Sequence, residues 1–248
     1  MLAALLAVLG LAGLVFAGIA ISGQVMPRKF TAAQRHQIEV WEIARRWRVT
    51  PKTRIFPFSI HYRLVRDRFG FPVPLKLTAR RLDIARQAAC ARGAADVSLA
   101  RMLGEQGCQT MLRATYTDAS SSLVLTVGVA VLRNGPSATA TAANLTGKAP
   151  GAPGAVTVRP VIGTFRVGGS PAAAFGNPQR QVSWAVSAGP YLVVATVGYA
   201  DGRPHEAVTT DSYAFMEMTS LAGGVAAAVA APLGAPPPVP RCPGAPAC

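Results

Sequence analysis

The chain has 248 residues, with 25 Lys and Arg against 11 Asp and Glu, a formal net charge of +14 at pH 7, and half of its residues hydrophobic. That length suits one or two domains of roughly 100–200 residues each, and so few acids leave little material for paired-carboxylate chemistry or a calcium site. Four cysteines without a C-x-x-C and three scattered histidines give neither a thioredoxin-like motif nor a zinc ribbon, and Walker A, G-x-G-x-x-G and G-x-S-x-G patterns are absent.

Residues 1–26 carry no charged side chain, and residues 1–22 hold no polar one except Ser22. As a helix those 22 residues reach about 33 Å, matching a hydrocarbon core of roughly 30 Å. A secretory signal has a basic start and a shorter apolar run of about 7–15 residues. Ala20-Ile21-Ser22 offers a small-x-small cleavage site, but an anchor over 1–26 fits the length better.

A basic juxtamembrane segment over 27–54 follows. Thr31-Ala-Ala-Gln34 has the pattern of a capping box, and Val40, Ile43, Ala44 and Trp47 recur at i, i+3, i+4, i+7 before Pro51 stops the helix. The spacing predicts an amphipathic helix, and Arg28 and Lys29 before it, with Arg35, Trp41, Arg45, Arg46, Trp47 and Arg48 on it, are expected to sit against anionic lipid headgroups. The alternative is that its apolar stripe packs on the body.

Phe56, Phe58, Ile60 and Tyr62 alternate with Pro57, Ser59 and His61, the period of an edge strand with one aromatic face. Thr78–Ala91 and Ala94–Gln106 read as two short helices, stopped at Gly107. Met111–Thr117 and Leu123–Leu132 form a hairpin around Asp118-Ala-Ser-Ser-Ser122, and Ala138–Leu145 is a short helix. After a loop at Gly147–Gly154, strands are expected at Val156–Val167, Val182–Ser187 and Tyr191–Ala200. A closing helix at Ser212–Ala230 is weakened by Gly223-Gly224. The expected fold is α+β: a transmembrane helix, a juxtamembrane helix, two short helices, an antiparallel sheet of about four to six strands and a closing helix. A globular domain would occupy 55–231 and a Pro-rich, disordered tail 232–248.

WRVTPKTRIFP (Trp47–Pro57), RATYTDASSSLVLTVGVAVL (Arg113–Leu132) and SAGPYLVVATVGYADGR (Ser187–Arg203) resemble segments of uncharacterised single-pass membrane proteins of actinobacteria. The resemblance spans most of residues 41–215. It implies an extracytoplasmic β-rich domain behind an N-terminal anchor and carries no catalytic motif.

Topology draws opposed signals from the sequence. Eight basic residues in 28–54 place the body in the cytoplasm by the positive-inside rule. The even cysteine count and the Pro-rich tail favour export. Proximity pairs Cys90 with Cys108 and Cys242 with Cys248. In an oxidising compartment a Cys90–Cys108 bond, 18 positions apart, contributes about 3 kcal/mol in the chain-entropy model.

Asp201, His205, Glu206 and Asp211 are the one local cluster with hydrolytic potential, and Gly169-Ser170-Pro171 supplies no elbow for a nucleophile. The expectation is therefore a membrane-anchored, non-enzymatic extracytoplasmic domain that binds or scaffolds an envelope protein or polymer, with no cofactor and no metal. The alternative is a cytoplasm-facing protein whose segment 28–54 binds anionic lipid or nucleic acid. Nucleic acid is the weaker of those two ligands, since no RNP, zinc-finger or basic-zipper pattern is present. A hydrolase using His205 with a distant serine is the remotest reading.

Overall fold

The computed structural model describes residues 30–64, 75–146, 162–206 and 212–238. The chain divides into two compact units, Glu42–Ala235 and the terminal segments Met1–Trp41 with Pro236–Cys248. The expected anchor over 1–26 and the loop at Gly147–Gly154 lie outside the described residues.

In the terminal unit, the described residues open helix α1 (Ala32–Val49). Thr31 Oγ1 accepts from the Gln34 amide at 3.2 Å and Gln34 Oε1 accepts from the Thr31 amide at 3.0 Å, so two of the helix's otherwise unpaired donors are satisfied reciprocally.

The unit Glu42–Ala235 is built on six antiparallel strands in the order β1-β2-β3-β4-β6-β5: β1 Ser59–Arg63, β2 Lys76–Ile84, β3 Thr110–Asp118, β4 Leu123–Val131, β5 Arg180–Ala188 and β6 Tyr191–Tyr199. Strand β4 (LVLTVGVAV) is buried along its whole length, as a central strand covered on both faces must be. After α1 comes the one-turn helix α2 (Lys52–Ile55). Further along are α3 (Cys90–Gly93), α4 (Val97–Glu105), α5 (Gly135–Thr146) and α6 (Tyr213–Gly234).

Helix α6 fills one face of the sheet. It touches β1 at one end of the strand order and β5 at the other, as well as β4 and β6, so the sheet curls around it. Met218, Leu221, Val225 and Val229 join Leu125, Val127, Val193 and Tyr116 in the main core. Of the Gly223-Gly224 pair, Gly224 lets the β1 edge of the sheet close on the helix. A Cβ on Gly224 would stand 2.4 Å from the Tyr62 Cβ of β1, whereas one on Gly223 would meet the Trp184 ring of β5 at an ordinary 3.4 Å. Among the described residues α6 is the one helix long and apolar enough to cross a membrane by length and composition. Its contacts make it the core helix of this unit.

The opposite face is covered by α3, α4 and α5, which pack Leu99, Leu103, Ala138 and Ala142 on Met111, Ala130, Leu132 and Leu192. A segment over 162–167 crosses the same face. Thr115 Oγ1 donates to the Phe165 carbonyl at 2.6 Å, and the Phe165 amide donates to Thr126 Oγ1 at 3.1 Å. These bonds satisfy hydroxyls that would be costly to bury alone.

Four expectations are corrected. Thr78–Ala91, read as a helix, is mostly strand β2 and the loop after it, because hydrogen bonding to both β1 and β3 outweighs its helix propensity. The aromatic strand starts late: Lys52–Ile55 make a helical turn, Phe56 is buried and Phe58 is 65% exposed. Of the strand expected at 156–167, residues 156–161 lie outside the described residues, and the rest shows one isolated bridge, Ile162 with Ala94, and an irregular crossing over 163–167. The closing helix also runs past Ala230, through Pro232, to Gly234.

Candidate functional site

Cys90 and Cys108 are disulfide-bonded, with Cα atoms 6.2 Å apart, inside the range such a bond requires. They meet because the chain doubles back around α4. Asp96 Oδ1 caps the start by accepting from the Leu99 amide at 2.8 Å. At the other end the Cys108 amide donates to Leu103 O at 2.9 Å and the Gly107 amide to Gly104 O at 3.0 Å, with Gly107 at φ +68°. That is a Schellman stop, in which glycine takes the left-handed position at least cost. Cys242 and Cys248 lie outside the described residues.

The residues expected at the lipid surface divide. Arg28 and Lys29 fall outside the described residues. Arg35 and Trp41 are exposed. Arg45 pairs with Glu42 at 3.3 Å. Arg46 and Trp47 instead belong to the fold. Arg46 Nη1 donates to the Pro232 and Leu233 carbonyls at 3.1 and 2.9 Å, capping the negative end of α6. Trp47 packs on the main core with Ile43, Tyr191 donates to the Ile43 carbonyl at 2.5 Å, and Arg48 lies over the Trp47 ring. The apolar stripe of α1 packs on the body at Ile43 and Trp47, while Val40 and Ala44 stay exposed.

Among the described residues the hydrolytic cluster does not assemble. Asp201 is tied to Arg203 at 2.6 Å, His205 Nδ1 lies 3.0 Å from the Arg180 carbonyl, and the Glu206 amide donates to Gln181 Oε1. Asp211 is outside the described residues. Ser170 Oγ donates to the Val167 carbonyl within its own turn. Among the described residues no group of three His, Cys, Asp or Glu could hold a metal ion.

Basic side chains converge elsewhere, on the β1–β2 hairpin. Antiparallel register sets Arg63 opposite Lys76, His61 opposite Thr78 and Ser59 opposite Arg80. Ile60, Tyr62 and Ala79 point into the core around α6, so strand alternation turns Ser59, His61, Arg63, Lys76, Thr78 and Arg80 to the other side. There His61, Arg63, Lys76 and Arg80 are exposed, and His61 Nδ1 is 3.1 Å from Thr78 Oγ1. A depression of about 440 Å³ is lined by His61, Tyr62, Arg63 and Lys76. Among the described residues, the ion pairs are Glu42–Arg45, Arg101–Glu105 and Asp201–Arg203, and none neutralises this face. Two cations directly opposite across a strand pair repel.

Acidic groups gather on the inner side. Burial first, and then the neighbouring Asp118 carboxylate, push the Glu217 carboxyl above its ordinary range. Burial also raises the Tyr62 hydroxyl, assisted by Asp118 and Glu217. The hairpin thus separates a positive outer face from a negative inner end.

A second depression, of about 450 Å³, is lined by Trp47, Arg48, Gln87 and Gln109 among others. The period-2 signals SIHYR and KLTAR could have revealed the basic hairpin face. The helix reading of 78–91 hid it.

Comparison of the chain with protein-family models, with curated proteins and with solved structures finds no match.

Proposed function

We propose that this protein is a membrane-tethered, non-enzymatic domain that works outside the cytoplasm and binds or scaffolds a component of the cell envelope. The carrying observation is the Cys90–Cys108 bond, since structural disulfides persist in oxidising compartments and are rare in the cytosol. The uncharged run over 1–26 supplies the tether. Among the described residues, Asp201, His205 and Ser170 are spent on turns and loop contacts.

The second reading, a cytoplasm-facing body, rests on the eight basic residues of 28–54. Arg46 weakens it in part, because that charge serves the end of α6.

Fusions of alkaline phosphatase and of green fluorescent protein after Cys248 separate the two. The expected outcome is active phosphatase and a dark fluorescent protein. Bright fluorescence with inactive phosphatase overturns the proposal.

A further inference from the structure

We infer that the outward face of the β1–β2 hairpin binds an extended, phosphate-bearing polymer. One phosphate group would lie between Arg63 and Lys76 and a later one along the chain at Arg80. The inference deepens the envelope-binding reading and rests on it for its biological setting.

The charge arrangement asks for an anion. Arg63 and Lys76 are register partners on adjacent strands and share one depression with His61. Cations directly opposite one another destabilise a strand pair, and a bound phosphate turns that repulsion into two attractions. A guanidinium fork and a compact ammonium are the donors phosphate takes best.

Spacing asks for a polymer rather than a small ion. Arg80 lies opposite Ser59, four residues along the strand from the Arg63–Lys76 pair, which is about 13 Å at roughly 3.3 Å per residue. A single phosphate cannot reach both, whereas a chain bearing charges at intervals can.

The intervening side chains argue against the other polyanionic surfaces. Ser59, His61 and Thr78 separate the charges. Leu82, next on β2, packs against the cluster of Val124 and Phe175. An interfacial membrane site inserts apolar side chains, and a single-stranded nucleic-acid site stacks bases on aromatic ones. Between the Arg63–Lys76 and Ser59–Arg80 pairs strand alternation projects no aliphatic side chain, and the one ring it projects, the His61 imidazole, is held 3.1 Å from Thr78 Oγ1. Charged residues on an edge strand can also serve only to prevent edge-to-edge pairing, and that role predicts no ligand.

The test uses the full chain in neutral detergent, with end-labelled inorganic polyphosphate as the probe and fluorescence anisotropy as the readout. Binding is expected. Two neutralised phosphates weaken it about sevenfold between 50 and 200 mM salt on the counterion-release scale for single strands. Arg63→Gln/Lys76→Gln/Arg80→Gln should weaken binding and flatten its salt dependence, while the exposed-site control Arg35→Gln/Arg86→Gln/Arg92→Gln keeps both. The three single variants repeat the measurement should the triple variant fail to fold. Polyglutamate, inorganic phosphate and phosphatidylglycerol vesicles should compete less well than unlabelled polyphosphate.

Unchanged binding in the hairpin variants, an equal loss in the control, or equal competition by polyglutamate, phosphate or vesicles overturns the inference. A cytoplasmic result from the fusions, with hairpin-dependent polyphosphate binding intact, would remove the proposed compartment and leave this surface standing.

Discussion

Glu217 sits near the start of α6, and its environment disfavours charge. Burial, and then Asp118, raise its pKa above the ordinary 4.5. The folded protein therefore holds this proton to higher pH than the unfolded chain does. Its contribution to stability is full below 4.5 and is lost as pH rises through the elevated folded value. Glu217→Gln should raise the thermal midpoint at pH 7, with the advantage closing toward pH 4. Melts of both proteins across that range check it, and parallel curves would show that the carboxylate carries no penalty. At this scale the sequence was partly readable. Acids are scarce enough to notice singly, but nothing in the local sequence around Glu217 announces Asp118, which arrives from the far end of β3.

Between elements, the Gly223-Gly224 step decides how closely the sheet can wrap α6. In a helix interior, glycine costs roughly 0.5–1 kcal/mol relative to alanine, so the sequence alone marks the pair as a weakness. The contacts make it a requirement on one side only. Gly224→Ala should destabilise by about 1–3 kcal/mol through overpacking, because its Cβ would stand 2.4 Å from the Tyr62 Cβ. Gly223→Ala should be neutral or stabilise by up to about 1 kcal/mol, since Trp184 stays at contact distance. Urea unfolding of the two variants separates the effects, and equal midpoints would contradict the curled packing.

The hairpins β3–β4 and β5–β6 were legible because both flank recognisable turns, Asp118–Ser122 and Ala188-Gly189-Pro190. Asp118 closes the first by accepting from the Leu123 amide at 2.7 Å. Strand β2 was not legible. KLTARRLDI is rich in helix formers, and only its pairing with β1 and β3 selects the extended form. With β2 misread, Arg63, Lys76 and Arg80 could not be seen as one face.

Across the whole molecule, the charge asymmetry acquires a physical distribution. From Arg28 to Arg113 there are 18 basic and 6 acidic residues, and from Ala114 onward 7 and 5. The basic excess does not form one membrane-facing patch. Arg46 closes α6, Arg113 is half-buried and donates to the Gly163 carbonyl at 2.9 Å, and Arg63, Lys76 and Arg80 line the hairpin. A positive-inside count gives equal weight to every such residue near a span, including Arg46, which the fold employs. The disulfide carries independent information about the compartment, because its persistence depends on redox conditions rather than on charge.

The most direct test traps thiols in growing cells by acid quenching and labels them with a mass-tagged maleimide before and after reduction. It uses the full chain bearing Cys242→Ser and Cys248→Ser, so that only Cys90 and Cys108 report. An extracytoplasmic domain predicts no tag before reduction and two afterwards. Two tags before reduction, in a protein that remains folded, would place the pair in a reducing compartment and contradict the account.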